Sequence, residues 1–319
     1  MKMAGLGLLA GVLTPGAAWA CACGCGVFEV GTSSMLPEGP GGMGFLTYAF
    51  QDQNQNWSDS SKAPAANNDD KEIRTDFLSA GLQYMFNRDW GIEAELPFAY
   101  RNFKTVTANP NVPAGTLASI NWFSLGDIRI HAIYTGFSPD LTSGLDFGVR
   151  LPTGSFSHEN AWGDVDRDSE IGSGSTDVLV GGFHRDNIGQ SQTWEWFAQA
   201  EADLPVLTQA DYRPGFELDA AAGVDYDGWS LGRLTVAPLA QVIFSERTRD
   251  LGNDAAGGAN DGNDGINSGY TRVLLSPGVE FHLHPMKLYA DVEIPVFAHV
   301  AGNQLVAPVL FKINLSYMF

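Results

Sequence analysis

The sequence predicts an all-β protein: a transmembrane antiparallel β-barrel of about twelve strands, preceded by an N-terminal arm. Three observations predict it. The closing stretch alternates, with Val309, Phe311, Ile313, Leu315, Tyr317 and Phe319 on one parity and Leu310, Lys312, Asn314, Ser316 and Met318 on the other, which is the period of a strand. Similar alternating segments recur along the chain at lengths of about fifteen residues, far beyond the roughly five or six of a globular strand, and such lengths suit strands tilted across a membrane wall. Tight turns also alternate with long polar connections, the plan of a barrel with short turns on one side of a membrane and loops on the other. A soluble sandwich shares the alternation, with its polar face in water, so strand length is what separates the two readings.

Taken in order, residues 1–20 read as an export signal. Lys2 gives the positive start, Ala4 to Leu13 the apolar run, and Ala18-Trp19-Ala20 a small-x-small cleavage site. The mature chain is expected to begin at Cys21 and to fold beyond the cytoplasm, in an oxidising compartment or the outer membrane. Residues 21–41 are rich in Gly, Pro and Ser without a stable period and form the arm; residues 42–319 form the barrel.

Strands are expected at 42–57, 71–86, 90–105, 119–136, 142–158, 172–186, 193–208, 215–228, 231–247, 268–284, 287–300 and 304–319. Tight turns fall at Asn87-Arg88-Asp89, Ser138-Pro139-Asp140, Asn187 to Gly189, Asp227-Gly228-Trp229 and His284-Pro285-Met286. Long connections fall at about 57–70, 106–118, 159–171 and 248–267, with shorter ones near 209–214 and 301–303. In the seventh strand Trp194, Trp196, Ala198, Ala200, Ala202 and Leu204 oppose Glu195, Phe197, Gln199, Glu201 and Asp203. In the eleventh, Leu288, Ala290, Val292, Ile294 and Val296 oppose Tyr289, Asp291, Glu293 and Phe297. A repeat of Pro97, Pro152, Pro205 and Pro295 sits late in ascending strands. Proline lacks the ladder N–H, so each marks either a bulge toward the outer rim or the end of its strand.

Composition agrees. The net charge of −19 leaves no basic patch for nucleic-acid phosphate. A total of 37 glycines and 11% aromatics suits many strands joined by turns. Outside the first twenty residues no apolar run approaches the roughly 18 or more that a spanning helix needs.

Leu151-Pro152-Thr153-Gly154, Gly172-Ser173-Gly174-Ser175-Thr176-Asp177, Tyr212-Arg213-Pro214-Gly215, Leu275-Ser276-Pro277-Gly278 and Gln304-Leu305-Val306 follow one another between residues 125 and 319. In order and spacing they resemble outer-membrane transporter-type proteins of the phenol-degradation meta-pathway family. The resemblance implies a bacterial outer-membrane channel for small solutes, hydrophobic compounds among them, and identifies no binding residue. The closing strand likewise resembles that of outer-membrane barrels, which end in an aromatic used for insertion. That likeness implies Tyr317 and Phe319 as the insertion signal, with membrane lipid and the barrel-assembly machinery as partners.

With the apolar parity facing lipid, the lumen is expected to hold Glu93, Glu95, Asp127, Asp146, Glu195, Glu201, Asp203, Glu217, Asp219, Glu280, Asp291 and Glu293, together with Arg129, His131, Arg150, Arg272, His282 and Lys312. An open pore with this excess of carboxylates favours cations; a closed one uses the same charges as a bracing ion-pair network. Cys21, Cys23 and Cys25 sit at alternate positions, as thiols gathering on a soft metal such as copper would. Lipidation at Cys21, a disulfide, and no role at all compete with that reading. The acidic loops Asp164 to Glu170 and Asn253 to Gly265 carry enough oxygen ligands for Ca²⁺, against the plainer reading of solvated surface loop. His158 beside Ser157 and Glu159, and His131 near Asp127, can be drawn as acid/base pairs, but no nucleophile elbow, HExxH or Walker pattern accompanies them. The expectation is a channel or transporter and not an enzyme. A closed binding or scaffold barrel is the alternative, and a rim-sited hydrolase a more distant one.

Overall fold

The computed structural model describes residues 36, 37, 39–106, 111–113, 115–161, 163–190, 193–252 and 267–319. The export signal, Cys21, Cys23 and Cys25, and Asn253 to Gly265 lie outside these residues.

Twelve strands build one wall: β1 (Gly41–Gln53), β2 (Asp70–Met85), β3 (Trp90–Val106), β4 in two pieces (Leu117–Leu125 and Ile128–Tyr134), β5 (Ser143–Leu151), β6 (Ser175–Asn187), β7 (Trp194–Thr208), β8 (Glu217–Tyr226), β9 (Leu234–Arg247), β10 (Tyr270–Leu283), β11 (Met286–Val306) and β12 (Leu310–Met318). Each pairs antiparallel with its neighbours in sequence. β12 pairs back onto β1 from Met43↔Met318 to Gln51↔Leu310, which closes the barrel and leaves no edge. At the seam Gly42 and Phe319 exchange backbone hydrogen bonds of 2.9 and 2.8 Å. A side chain at Gly42 would press on the Phe319 ring, which lies over it.

The alternation resolves as lipid outside and polar groups inside. Along β12, Phe311, Ile313, Leu315 and Tyr317 are exposed on the outer face, while Lys312, Asn314 and Ser316 are buried in the bore. Aromatic pairs cluster at the short-turn end: Trp90 with Tyr134 at 4.6 Å, Tyr134 with Phe137 at 5.8 Å, and Trp194 with Tyr226 at 4.9 Å. Amphipathic rings settle at a membrane–water boundary, so these pairs mark one rim of the hydrocarbon band.

Several boundaries depart from the sequence expectation, each for a physical reason. β4 is interrupted at Gly126-Asp127, and the inward parity changes across the break from Trp122 to Asp127. β5 stops at Leu151 instead of 158, because Pro152 cannot donate and Thr153 N turns back to Leu151 O at 2.7 Å. The turn after β8 is not at Asp227-Gly228-Trp229. Trp229–Leu231 continues as a short strand paired to β9, and the reversal falls at Gly232, whose φ of 70° suits glycine. The eleventh strand does not end near 300. It runs to Val306 and pairs with Gln55–Asp59 of the first long loop, so the connection to β12 is 307–309 instead of 301–303.

Of the four prolines, Pro205 and Pro295 sit at register shifts against β6 and β10. The second shift turns Phe297 outward, at 46% exposed, where uninterrupted alternation had put it with the lumen set. Pro152 ends its strand. Pro97 keeps register with β2, and its carbonyl accepts Gly126 N at the break in β4.

Candidate functional site

The bore holds a cavity of about 260 Å³, walled by β1 to β9 together with the loops between β5 and β6 and between β7 and β8. Inward parity on β3, β4 and β5 and on β7 and β8 brings Glu93, Glu95, Arg129, His131, Asp146, Arg150, Glu201 and Glu217 to its surface, with Asp127 at the edge. Apolar groups complete the lining: Leu36, Pro37, Phe77, Ile133, Ile171 and Phe183, with Phe98 touching it from the outward parity of β3. Leu36 and Pro37 belong to the arm, and Pro37 O accepts from Arg185 Nη2 at 3.0 Å.

Cross-strand register explains the charge pattern. Arg129 and Arg150 are directly opposite, a repulsive pair unless carboxylates intervene. Asp203 intervenes, 2.8 Å from Arg150 and 3.4 Å from Arg129, with Asp177 also on Arg150 and Glu201 3.0 Å from Arg129. His131 lies 3.4 Å from Asp146 and 3.9 Å from Glu201. Gly181 stands between Asp146 and Glu201 in register, and its missing side chain makes the room their carboxylates occupy. Glu93 is the cross-strand partner of His131 and accepts from Gln83 at 2.8 Å.

The other expected lumen residues are not at the cavity. Arg272, Glu280, Asp291, Glu293 and Lys312 are buried on the opposite side, in tight networks. Asp291 accepts from Tyr289 at 2.7 Å and Ser276 at 2.6 Å; Lys312 and Glu293, both fully enclosed, are 3.2 Å apart; Arg272 stacks on Tyr270 at 3.8 Å. Asp219 is buried next to Glu217 on the same strand, and Glu195 is half-buried near the short-turn end. There His282 bonds Glu280 at 2.7 Å.

The loop from Pro152 to Gly174 is what the sequence did not reveal. Read as solvated surface from Asp164 to Glu170, it instead folds into the barrel: Val165, Arg167, Asp168, Ser169 and Glu170 are all buried, and only Asp164 of that set is exposed. Contacts through Arg101, Trp122 and Tyr212 hold its middle. Arg101, fully buried, donates to Ser169 O and Glu170 O at 2.6 and 3.2 Å. Glu170 accepts His158 at 2.7 Å, and His158 stacks on Trp122. Arg167 stacks on Phe156 and Tyr212 at 4.1 and 4.6 Å. His158 therefore pairs with Glu170 and not with its sequence neighbour Glu159.

Asp127 is likewise no partner of His131. Its carboxylate accepts Gly154 N at 2.9 Å, Ser173 N at 2.8 Å and Ser173 Oγ at 2.5 Å, while Thr153 Oγ1 donates to Gly126 O at 2.8 Å. The two signatures at 151–154 and 172–177 are thus the two ends of the inward loop, clamped to the break in β4. The signature at 212–215 does similar work: Asp250 accepts from Tyr212 at 2.7 Å, Gly215 N at 2.7 Å and Arg247 at 2.8 Å. Burial and the adjacent Asp250 push the Tyr212 phenol well above its usual pKa, so it stays a neutral donor. Arg101 shares the parity of Glu93 and Glu95 and was legible on that ground; Arg167, Glu170 and Asp250 lie in loops with no period to read.

A closed antiparallel wall, apolar outside and polar within, defines this chain as an outer-membrane β-barrel, which places it in the bacterial outer membrane. Solved structures agree on the fold. An outer membrane channel from Pseudomonas putida F1 superposes with a TM-score of 0.63 at 11% identity, over 91% of this chain and 100% of that one. The β domain of the Bordetella autotransporter BrkA superposes with a TM-score of 0.50 at 15% identity, over 88% of this chain and 100% of that one. No protein-family model matches the sequence, and no curated protein matches it either.

Proposed function

We propose that the protein is an outer-membrane channel that admits a small solute to the cavity between the inward loop and the wall. The observation that carries this is the composition of that cavity: the carboxylates Glu93, Glu95, Asp146 and Glu201 share its lining with aromatic and aliphatic groups. At about 260 Å³ it falls just below the roughly 300 Å³ at which drug-sized pockets begin, so the solute is small. Hydrophobic solutes are included, because the cavity also touches Phe98, which by parity faces outward and stacks on exposed Phe123 beside the break in β4. That contact supports passage sideways between β3 and β4. The resemblance of the signatures at 151–154, 172–177, 212–215, 275–278 and 304–306 to phenol-degradation meta-pathway proteins is in line with the same reading.

In this reading residues 1–20 are removed on export, the arm at 21–41 enters the bore beside Leu36 and Pro37, and Tyr317 and Phe319 are read by the assembly machinery. Thiol-bound copper at Cys21, Cys23 and Cys25, and Ca²⁺ at the acidic loops, remain proposals of the sequence alone. Planar-bilayer recording of the folded chain tests the channel. Steady unitary conductance, or solute-dependent swelling of liposomes, is expected.

The second reading, a closed scaffold barrel, is favoured by one specific observation: the half of the bore around Lys312, Glu293, Asp291 and Tyr289 is filled by enclosed, mutually bonded groups. A correctly folded barrel that is silent in bilayers and impermeable in liposomes would select it.

A further inference from the structure

We propose that His131, Asp146 and Glu201 form a binding site for a divalent transition-metal ion in the wall of the bore. This goes beyond the channel reading and does not need conduction.

The donor atoms of these residues all lie within 4.8 Å of one another, and among the described residues no other trio of His, Cys, Asp or Glu gathers so closely. His131 Nδ1 is 3.4 Å from Asp146 Oδ1 and 3.9 Å from Glu201 Oε2. Ligands at about 2.0–2.1 Å from a tetrahedral zinc stand roughly 3.3–3.4 Å apart; the His131–Asp146 pair has that spacing, and Glu201, 3.9 Å from His131 and with its donor within 4.8 Å of the other two, closes on the ion by a side-chain adjustment. The set is looser than two other histidine–carboxylate pairs of the barrel. Elsewhere in this chain His158 meets Glu170, and His282 meets Glu280, at 2.7 Å. Asp146 Oδ1 is a buried acceptor to which no hydrogen bond of good geometry is made, a cost that a bound cation removes.

The surroundings orient the donors. Arg129 takes Glu201 Oε1 at 3.0 Å, which leaves Oε2 turned to the histidine, the kind of outer-shell support that metal ligands require. Asp146 lies over Gly181, where any side chain would press on its carboxylate. The ligands come from three strands, β4, β5 and β7, with β6 contributing only that glycine. All three line the cavity, as does Glu93 across from His131, so a further position is open to water or to Glu93. One imidazole and two carboxylates suit zinc, manganese or iron; Ca²⁺ prefers an all-oxygen shell and Cu(I) prefers sulfur.

The test uses the whole mature chain, folded in detergent, with Cys21, Cys23 and Cys25 changed to serine to remove the competing thiols. Titration calorimetry with Zn²⁺ is expected to show one saturable equivalent. H131A and D146N should each weaken it by about tenfold or more, G181A should weaken it as well, and H184A should leave it unchanged. Heat-modifiable migration reports whether each variant is folded. Anomalous diffraction at the zinc edge on the unsubstituted site should place a peak between the three side chains. Unchanged affinity in folded H131A, no saturable uptake of Zn²⁺, Mn²⁺ or Ni²⁺, or a peak elsewhere would overturn the proposal.

Discussion

Lys312 and Glu293 are both fully enclosed, and each offsets the other's charge in the bore. K312M should therefore cost about 3–5 kcal/mol in denaturant unfolding of the reconstituted barrel, because it strands a buried carboxylate, whereas the double change K312M/E293L should recover most of that loss. Asp127 makes a parallel case. D127A leaves the backbone N–H groups of Gly154 and Ser173 without an acceptor, and a loss of about 2–4 kcal/mol is expected by the same measurement. The lysine was legible in the alternation of the last strand, since parity alone sends it inward. The clamp was not: Asp127, Gly154 and Ser173 are brought together by a strand break and a loop reversal, and neither has a period.

At the level of elements, the strands follow from alternation and the interruptions follow from proline and glycine. Pro205 and Pro295 shift register because they cannot donate to the ladder, and a parity rule applied across such a shift points Phe297 the wrong way. The loop from Pro152 to Gly174 folds inward because the bore offers it Arg101, Trp122 and Tyr212, groups displayed by other parts of the chain. R101A should release Ser169 and Glu170 from the wall. We expect larger and noisier unitary conductance from R101A than from the native barrel, and new proteolytic cleavage between 163 and 173. An unchanged current with the loop still protected would show that Arg101 does not hold it.

For the whole molecule, closure of β12 on β1 commits every outward side chain to lipid and every inward one to the bore. Deletion of Phe319 removes the backbone pair with Gly42 and the terminal aromatic of the closing strand. The yield of heat-modifiable, membrane-inserted barrel should fall severalfold, while expression of the unfolded chain should be unaffected. Glu93 and Glu95 give the cavity much of its negative side. Reversal potentials across a salt gradient should show cation preference, reduced at least about twofold in E93Q/E95Q; selectivity that does not move would assign the charge effect to another part of the bore.

By itself the sequence determined the strand count, the faces of the strands, the alternation of short and long connections, and the inward sense of the charges. A two-residue period and the positions of proline and glycine are local properties, and a barrel wall is the sum of local pairings. Only the tertiary structure decided which charges meet at a cavity and which are locked in networks, that a loop fills the bore, and that His131 finds Asp146 and Glu201 instead of Asp127. Those relations depend on register between neighbouring strands, on Glu201 reached across the gap at Gly181, and on loops folded onto the wall, none of which has a period in the sequence.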